Sequence, residues 1–237
     1  MTKRHLGVAV ALGVLSLTVV ACTNNASTSS SASTTAPAST STTSPQSSTW
    51  TAVWPTASSS TRYGTPEEAA RGFATDYLHI VDPVVGRFQQ GDSRSGEVPV
   101  QPSSTGPVTT VLVRQLGSDN SWWVLGAGTA AIRQTDPAWD AWITSPVTLR
   151  GAAMAFEGTV QTQVREDDNN KPLGEGVVTG GMQMTPFSGS LVFSKASAKY
   201  GAVVLYTVSA KPRSTDRRPG SAAIRVVGVV KGRPALD

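Results

Sequence analysis

The chain has 237 residues, 6% aromatic and 15% charged, with 20 Lys and Arg against 16 Asp and Glu for a formal net charge of +4. Setting aside Lys3 and Arg4, which belong to the leader described next, leaves 18 basic residues against 16 acidic ones, and so small a surplus does not imply a nucleic-acid partner. One cysteine and two histidines exclude a disulfide framework and argue against a zinc site, so stability must come from a packed core.

Lys3 and Arg4 precede an uncharged, mostly apolar run from Leu6 to Val20, which is the order of a secretory signal. The run falls short of the ~20 apolar residues that a helix needs to cross about 30 Å of hydrocarbon. Val19-Val20-Ala21-Cys22 follows and resembles the lipobox of bacterial lipoproteins. The resemblance covers only the leader. It implies removal of residues 1–21, a diacylglyceryl group on the Cys22 sulfur with acylation (palmitate) there, and a mature protein tethered to the outer face of the cell membrane. A lipid of more than one chain is what stable anchoring requires.

From Thr23 to Thr61 the chain is almost entirely Ser, Thr, Ala and Pro, with no charged side chain. Such composition buries too little apolar surface to offset ordering entropy, so residues 22–62 are expected to be a disordered tether, about 35 Å in typical span. Trp50 and Trp54 are its two aromatic exceptions.

Order is expected from Thr65, an N-cap followed by Pro66 at the first helical position and Glu68 at the capping-box position. Ala69, Ala70, Phe73, Ala74, Tyr77, Leu78 and Val81 fall on one face, and Pro83 stops the helix. A glycine-punctuated loop (Gly86, Gly91, Gly96) leads to strands over Val108–Leu116 and Trp122–Leu125, joined by the turn Gly117-Ser118-Asp119-Asn120. Residues 63–136 therefore read as a small domain of one helix on an antiparallel sheet. Residues 137–142 read as a single capped turn with Trp139 and Trp142 on one side.

Past Ile143 short strands recur over Val147–Arg150, Thr159–Glu166, Gly176–Thr179, Ser190–Phe193, Ala202–Ala210 and Ala222–Val230, the spacing of a sandwich. Ser145-Pro146-Val147-Thr148-Leu149-Arg150-Gly151, Ala155-Phe156-Glu157-Gly158-Thr159-Val160 and Tyr206-Thr207-Val208-Ser209-Ala210-Lys211 resemble the immunoglobulin-like domain first described in bacterial spore-germination proteins. The resemblance runs from Ile143 to Val230 and implies a β-sandwich in exported or lipid-anchored proteins that binds or organises envelope partners. It implies no catalytic residues. The fold class expected overall is mainly β with α+β: tether, small helix-plus-sheet domain, and a C-terminal immunoglobulin-like sandwich over 143–237.

Candidate chemistry is sparse. Gly126-Ala127-Gly128-Thr129-Ala130-Ala131 imitates a dinucleotide fingerprint, but Pro137 leaves no room for the helix that would face a pyrophosphate. Ser93, in Gly91-Asp92-Ser93-Arg94-Ser95-Gly96, lacks a Gly-x-Ser-x-Gly elbow, and past the leader only His79 remains to act as base. Glu166-Asp167-Asp168-Asn169-Asn170 offers oxygen ligands without the spacing of a calcium loop. Glu157 is expected to accept backbone N–H bonds in its turn or, less simply, to meet a ligand. Trp122 and Trp123 alternate, so one ring enters the core and the other packs on a neighbour such as Trp139 and Trp142.

Lys211, Arg213, Arg217 and Arg218 against Asp216 give the loop at 211–220 a balance of +3. The functional expectation is a non-catalytic envelope adaptor with no cofactor and no metal. Its partner would be an envelope protein or an anionic wall polymer met through Glu157, Arg213, Arg217, Arg218, Trp139 or Trp142. Two alternatives stand beside it: a hydrolase or glycan-processing accessory using the loop around Ser93, and a wall-glycan binder using exposed tryptophans.

Overall fold

The capping box forms as the sequence requires. Thr65 Oγ1 accepts the Glu68 N–H at 3.3 Å and Glu68 Oε2 accepts the Thr65 N–H at 3.2 Å, opening helix α1 (Pro66–Gly72). A π-helical turn, Phe73–Tyr77, follows directly. The wider turn adds a residue to the helical repeat, and His79 then enters the left-handed region at φ 57°. Ile80 consequently reaches the core at 2% exposure, whereas Val81, expected on the buried face, is 81% exposed.

The computed structural model describes residues 52–167, 171–207 and 223–231. Its strands are β1 (Val84–Val85), β2 (Gln89–Gln90), β3 (Ser95–Gln101), β4 (Thr109–Leu116), β5 (Ser121–Gly128), β6 (Ile132–Asp136), β7 (Ala141–Ile143), β8 (Val147–Ala153), β9 (Thr159–Glu166), β10 (Gly174–Thr179), β11 (Thr185–Leu191), β12 (Tyr200–Thr207) and β13 (Ile224–Lys231). The protein is thus mainly β, with one short α-helix among the described residues. β1, β2 and β3 occupy the stretch expected to be a loop. Gly96 and Pro99 dilute the strand pattern of β3, yet Val98 and Val100 alternate into the core.

Ten strands form one sheet in the order β1-β3-β4-β5-β13-β12-β9-β10, with β2 on β3 and β7 on β13; a second sheet has the order β11-β8-β6. The large sheet does not stop at the expected boundary near residue 137. β5 pairs with β13 through Ala127↔Val226 and Gly126↔Val227, so strands assigned to the 63–136 domain and to the sandwich share one sheet. Glycine is required at that junction, because a Cβ on Gly126 would lie 2.7 Å from the Val226 carbonyl oxygen.

The sheet is buried on both sides where the two halves overlap. On β12, Ala202, Val204 and Tyr206 meet the core under α1, while Val203 and Leu205 meet the core beneath the second sheet. This explains why Tyr200–Thr207 is apolar without alternation. Helix, large sheet and small sheet stack as three layers.

Residues 52–54, expected within the disordered tether, are instead packed on β5. The Val53 N–H donates to the Val124 carbonyl at 2.8 Å, the Val124 N–H to the Trp54 carbonyl at 2.7 Å, and the Trp54 indole N–H to the Tyr63 hydroxyl at 3.1 Å. Ala52 and Val53 are buried. Apolar side chains scattered in a Ser/Thr-rich stretch show no periodicity, so only the surface they meet reveals them. Cys22 and the remainder of residues 1–51 lie outside the described residues.

Trp122 and Trp123 do point to opposite faces. Trp123 is buried with its indole N–H on Ser121 Oγ at 3.0 Å. Trp122 meets Phe88 edge-on at 5.2 Å rather than Trp139 or Trp142. Within residues 137–142 a turn at Trp139–Asp140, closed by the Ala141 N–H on the Ala138 carbonyl at 3.2 Å, leads into β7, which lies parallel to β13 with Trp142 opposite Val230.

Candidate functional site

The stretch from Val192 to Lys199 links β11 to β12 with no regular structure, because the strand expected to reach Phe193 ends at Leu191. The loop is nevertheless held at three places. The Phe193 N–H donates to Ser145 Oγ at 2.9 Å, and Ser194 donates to the Leu173 carbonyl from its N–H at 3.0 Å and its hydroxyl at 3.1 Å. Glu166, at the end of β9 and 6% exposed, accepts from the Ser197 N–H at 2.7 Å, the Ser197 hydroxyl at 3.0 Å and the Ala198 N–H at 3.0 Å. Bonds from donors to an ionised carboxylate are stronger than neutral ones, so this buried group locks the loop. Glu166 is thereby engaged by protein donors rather than offered to calcium, and Asp168–Asn170 lie outside the described residues.

The loop forms one wall of an open cleft of about 600 Å³ whose other wall is Ile143, Thr144 and Ser145. Beside the cleft, Trp142 of β7 and Tyr200 of β12 stand opposite the same residue of β13, Val230, from its two sides. Their rings emerge on one face, and the Lys199 ammonium lies 5.4 Å from the Trp142 ring centre and 5.2 Å from that of Tyr200. Trp142 remains 46% exposed. Among the described residues, neither Lys195 nor Lys199 forms an ion pair. The result is an exposed cation set against two aromatic rings, with no carboxylate paired to it among the described residues, next to an accessible indole.

Of the residues singled out in the sequence, Trp142 belongs to this site. Trp139, 53% exposed, lies over Gly228, its Nε1 3.5 Å from where a Cβ there would stand. Glu157 is at the opposite end of the sandwich, since β8 and β9 run from one end to the other. It is exposed, sits at φ 53° in the 3₁₀ turn Phe156–Gly158, and its carboxylate accepts no hydrogen bond among the described residues. The expected bonding of that turn by Glu157 is replaced by backbone: the Gly158 N–H donates to the Ala155 carbonyl and the Gly180 N–H to that of Gly158. Arg213, Arg217 and Arg218 lie outside the described residues.

Ser93 occupies an exposed hairpin tip between β2 and β3. Its neighbour Asp92 accepts the Arg94 N–H at 2.7 Å, which with Ser95 holds the carboxyl below the usual carboxylate range, so Asp92 serves the turn. No cluster of three or more His, Cys, Asp or Glu suited to a metal occurs among the described residues.

Sequence reasoning missed Lys195, Lys199 and Tyr200. Ser194-Lys195-Ala196-Ser197-Ala198-Lys199 reads as a small-residue linker, and its anchors, Ser145, Glu166 and Leu173, are remote in the chain.

Residues 131–214 match the family described as the immunoglobulin-like domain of bacterial spore germination. The match takes in β6 to β12, the cleft loop and both Trp139 and Trp142, and it begins 12 residues before the expected start at Ile143. This segment is similar to the immunoglobulin-like domain of the germination type, a family not known as a catalytic one. Comparison with curated proteins and with solved structures returned no match.

Proposed function

We propose that this protein is a lipoprotein of the cell envelope, held on the extracytoplasmic face of the membrane through Cys22, that works as a non-catalytic binding or adaptor module. The observation that carries the binding role is the immunoglobulin-like domain at 131–214. The anchoring rests on Lys3 and Arg4, the apolar run to Val20 and the Val19-Val20-Ala21-Cys22 sequence. The basic residues at 211–218 suit an anionic partner in the same compartment.

The test is phase partitioning together with crosslinking in intact cells. The parent chain enters the detergent phase, Cys22→Ser stays in the aqueous phase, and crosslinking captures envelope components with the parent. Equal partitioning of the two would refute the anchor. Hydrolytic turnover of a wall or ester substrate by the purified chain would refute the non-catalytic role.

A further inference from the structure

We infer that the cleft beside Trp142 is a saccharide site for an acidic glycan, with the Trp142 indole as stacking face and Lys199 as the contact for the sugar's carboxylate. The inference deepens the binding-module reading and rests on it.

Four observations converge. The first is the ring itself. An indole that is 46% exposed, and that meets the cleft through Lys199, a lining residue whose ammonium lies 5.4 Å from the ring centre, offers a flat, apolar, weakly polarised surface. The C–H face of a pyranose matches it, because those C–H groups carry slight positive charge and cover the ring without breaking hydrogen bonds to water. The second is the charge. The two rings hold the Lys199 ammonium on one side and leave its other side to solvent, with no carboxylate paired to it among the described residues. A cation set against two rings loses less side-chain freedom when it meets an anion, which lowers a cost that a free lysine would bear.

The third is the wall. Ser194 and Ser197 spend their hydroxyl hydrogens on the Leu173 carbonyl and on Glu166, so both oxygens keep lone pairs for sugar hydroxyl donors. Glu166 and Ser145 hold this wall in place before any ligand arrives. The fourth is size. About 600 Å³ falls within the roughly 300–1,000 Å³ of small-molecule sites and accommodates one or two sugar rings of a longer chain left open to solvent. A ringless polyanion would leave Trp142 unused, and a neutral glycan would leave Lys199 unused.

The test uses the full-length chain purified in detergent and three soluble polymers: polygalacturonate with charged rings, dextran with neutral rings, and polyglutamate with carboxylates but no rings. Polygalacturonate is expected to bind about tenfold or more tighter than either of the others, a difference of one decade in Kd. Trp142→Ala and Lys199→Ala each lower that binding at least about fivefold, and Lys199→Arg retains most of it, since both side chains bear the cation–π contact. Polyglutamate binding as tightly as polygalacturonate would overturn the inference, as would parent-like binding by folded Trp142→Ala. If Trp142→Ala does not fold, the exposed substitution Lys199→Glu decides alone: unchanged binding overturns the site. Absent polymer binding, with capture of an envelope partner in cells retained, overturns this inference while the adaptor role stands.

Discussion

Arg165 Nη1 donates a 2.6 Å hydrogen bond to the carbonyl oxygen of Tyr77, 88 residues earlier, and its guanidinium lies 5.0 Å from the centre of that same ring. Its Nε and Nη2 both donate to Gln163 Oε1, at 2.9 and 2.7 Å, and Gln163 in turn donates to Glu175 Oε1 at 2.6 Å. A 5% exposed guanidinium is thus satisfied by neutral acceptors, with the exposed Glu175 one amide away. The contact ties the end of the π turn to β9 and so joins the helix layer to the sheet.

Arg165→Leu should therefore destabilise the fold by about 2–5 kcal/mol, since it strands the Tyr77 carbonyl and Gln163 Oε1 in buried positions that cost ~1–3 kcal/mol each. Urea denaturation measures this. A loss below about 0.5 kcal/mol, within the range of ordinary surface substitutions, would show that the tie is dispensable.

Tyr77 links stability to alkaline pH. Burial, more than the opposing influence of Arg165, pushes its phenol up to about 12 from an ordinary 10.0. The unfolded chain then loses this proton near pH 10 while the folded chain keeps it to about pH 12. In that window the unfolded state binds fewer protons, so stability falls as pH rises. At ~1.4 kcal/mol per unit, the decline is about 2–3 kcal/mol between pH 10 and 12. Tyr77→Phe removes the titrating proton, so the stability difference between parent and variant should narrow or reverse across that window. A difference that stays constant with pH would place the phenol in an ordinary aqueous setting.

Glu166 supports the cleft loop, and its removal should be felt there first. Glu166→Ala leaves the Ser197 and Ala198 amides without their acceptor. Hydrogen exchange at these two amides should accelerate by at least about tenfold through local opening, with a global loss of about 1–3 kcal/mol. Unchanged exchange at both would mean that Ser145 and Leu173 suffice to hold the loop.

The packing of residues 52–54 on β5 places the start of the protected chain ahead of the expected tether end at residue 62. A protease of broad specificity should leave a fragment beginning close to Ala52, because Ala52 and Val53 are buried and Val53 is bonded to Val124. Trp54→Ala, which removes a ring from the tilted contact with Tyr77 at 6.0 Å, should cost about 2–4 kcal/mol. N-terminal sequencing of the fragment and thermal melting of the variant check the two claims separately.

Much of the architecture was legible because it depends on short-range chemistry. The cap at Thr65 needs only three neighbours to be recognised, the turn at Gly117–Asn120 only four residues, and the strand expected over Thr159–Glu166 forms with those bounds. The Ala155-Phe156-Glu157-Gly158 stretch also has a local cause. Gly158 adopts φ +70°, and a Cβ there would lie 2.9 Å from the Gly180 carbonyl oxygen, so the turn accepts glycine alone.

What the sequence by itself determined was therefore which segments cap, turn and alternate, and that residues 143–230 resemble an immunoglobulin-like sandwich. Tertiary structure decided that β5 and β13 would merge two expected units into one sheet, that Ala52 and Val53 would be core, and that Trp142, Tyr200 and Lys199 would meet. Each of those relationships joins residues far apart in the chain through backbone pairing or ring contact. Local propensity and periodicity have no access to such distances. Only the register of β13, which faces β5 and β7 on one side and β12 on the other, brings the aromatic rings and the cation to one edge of the cleft.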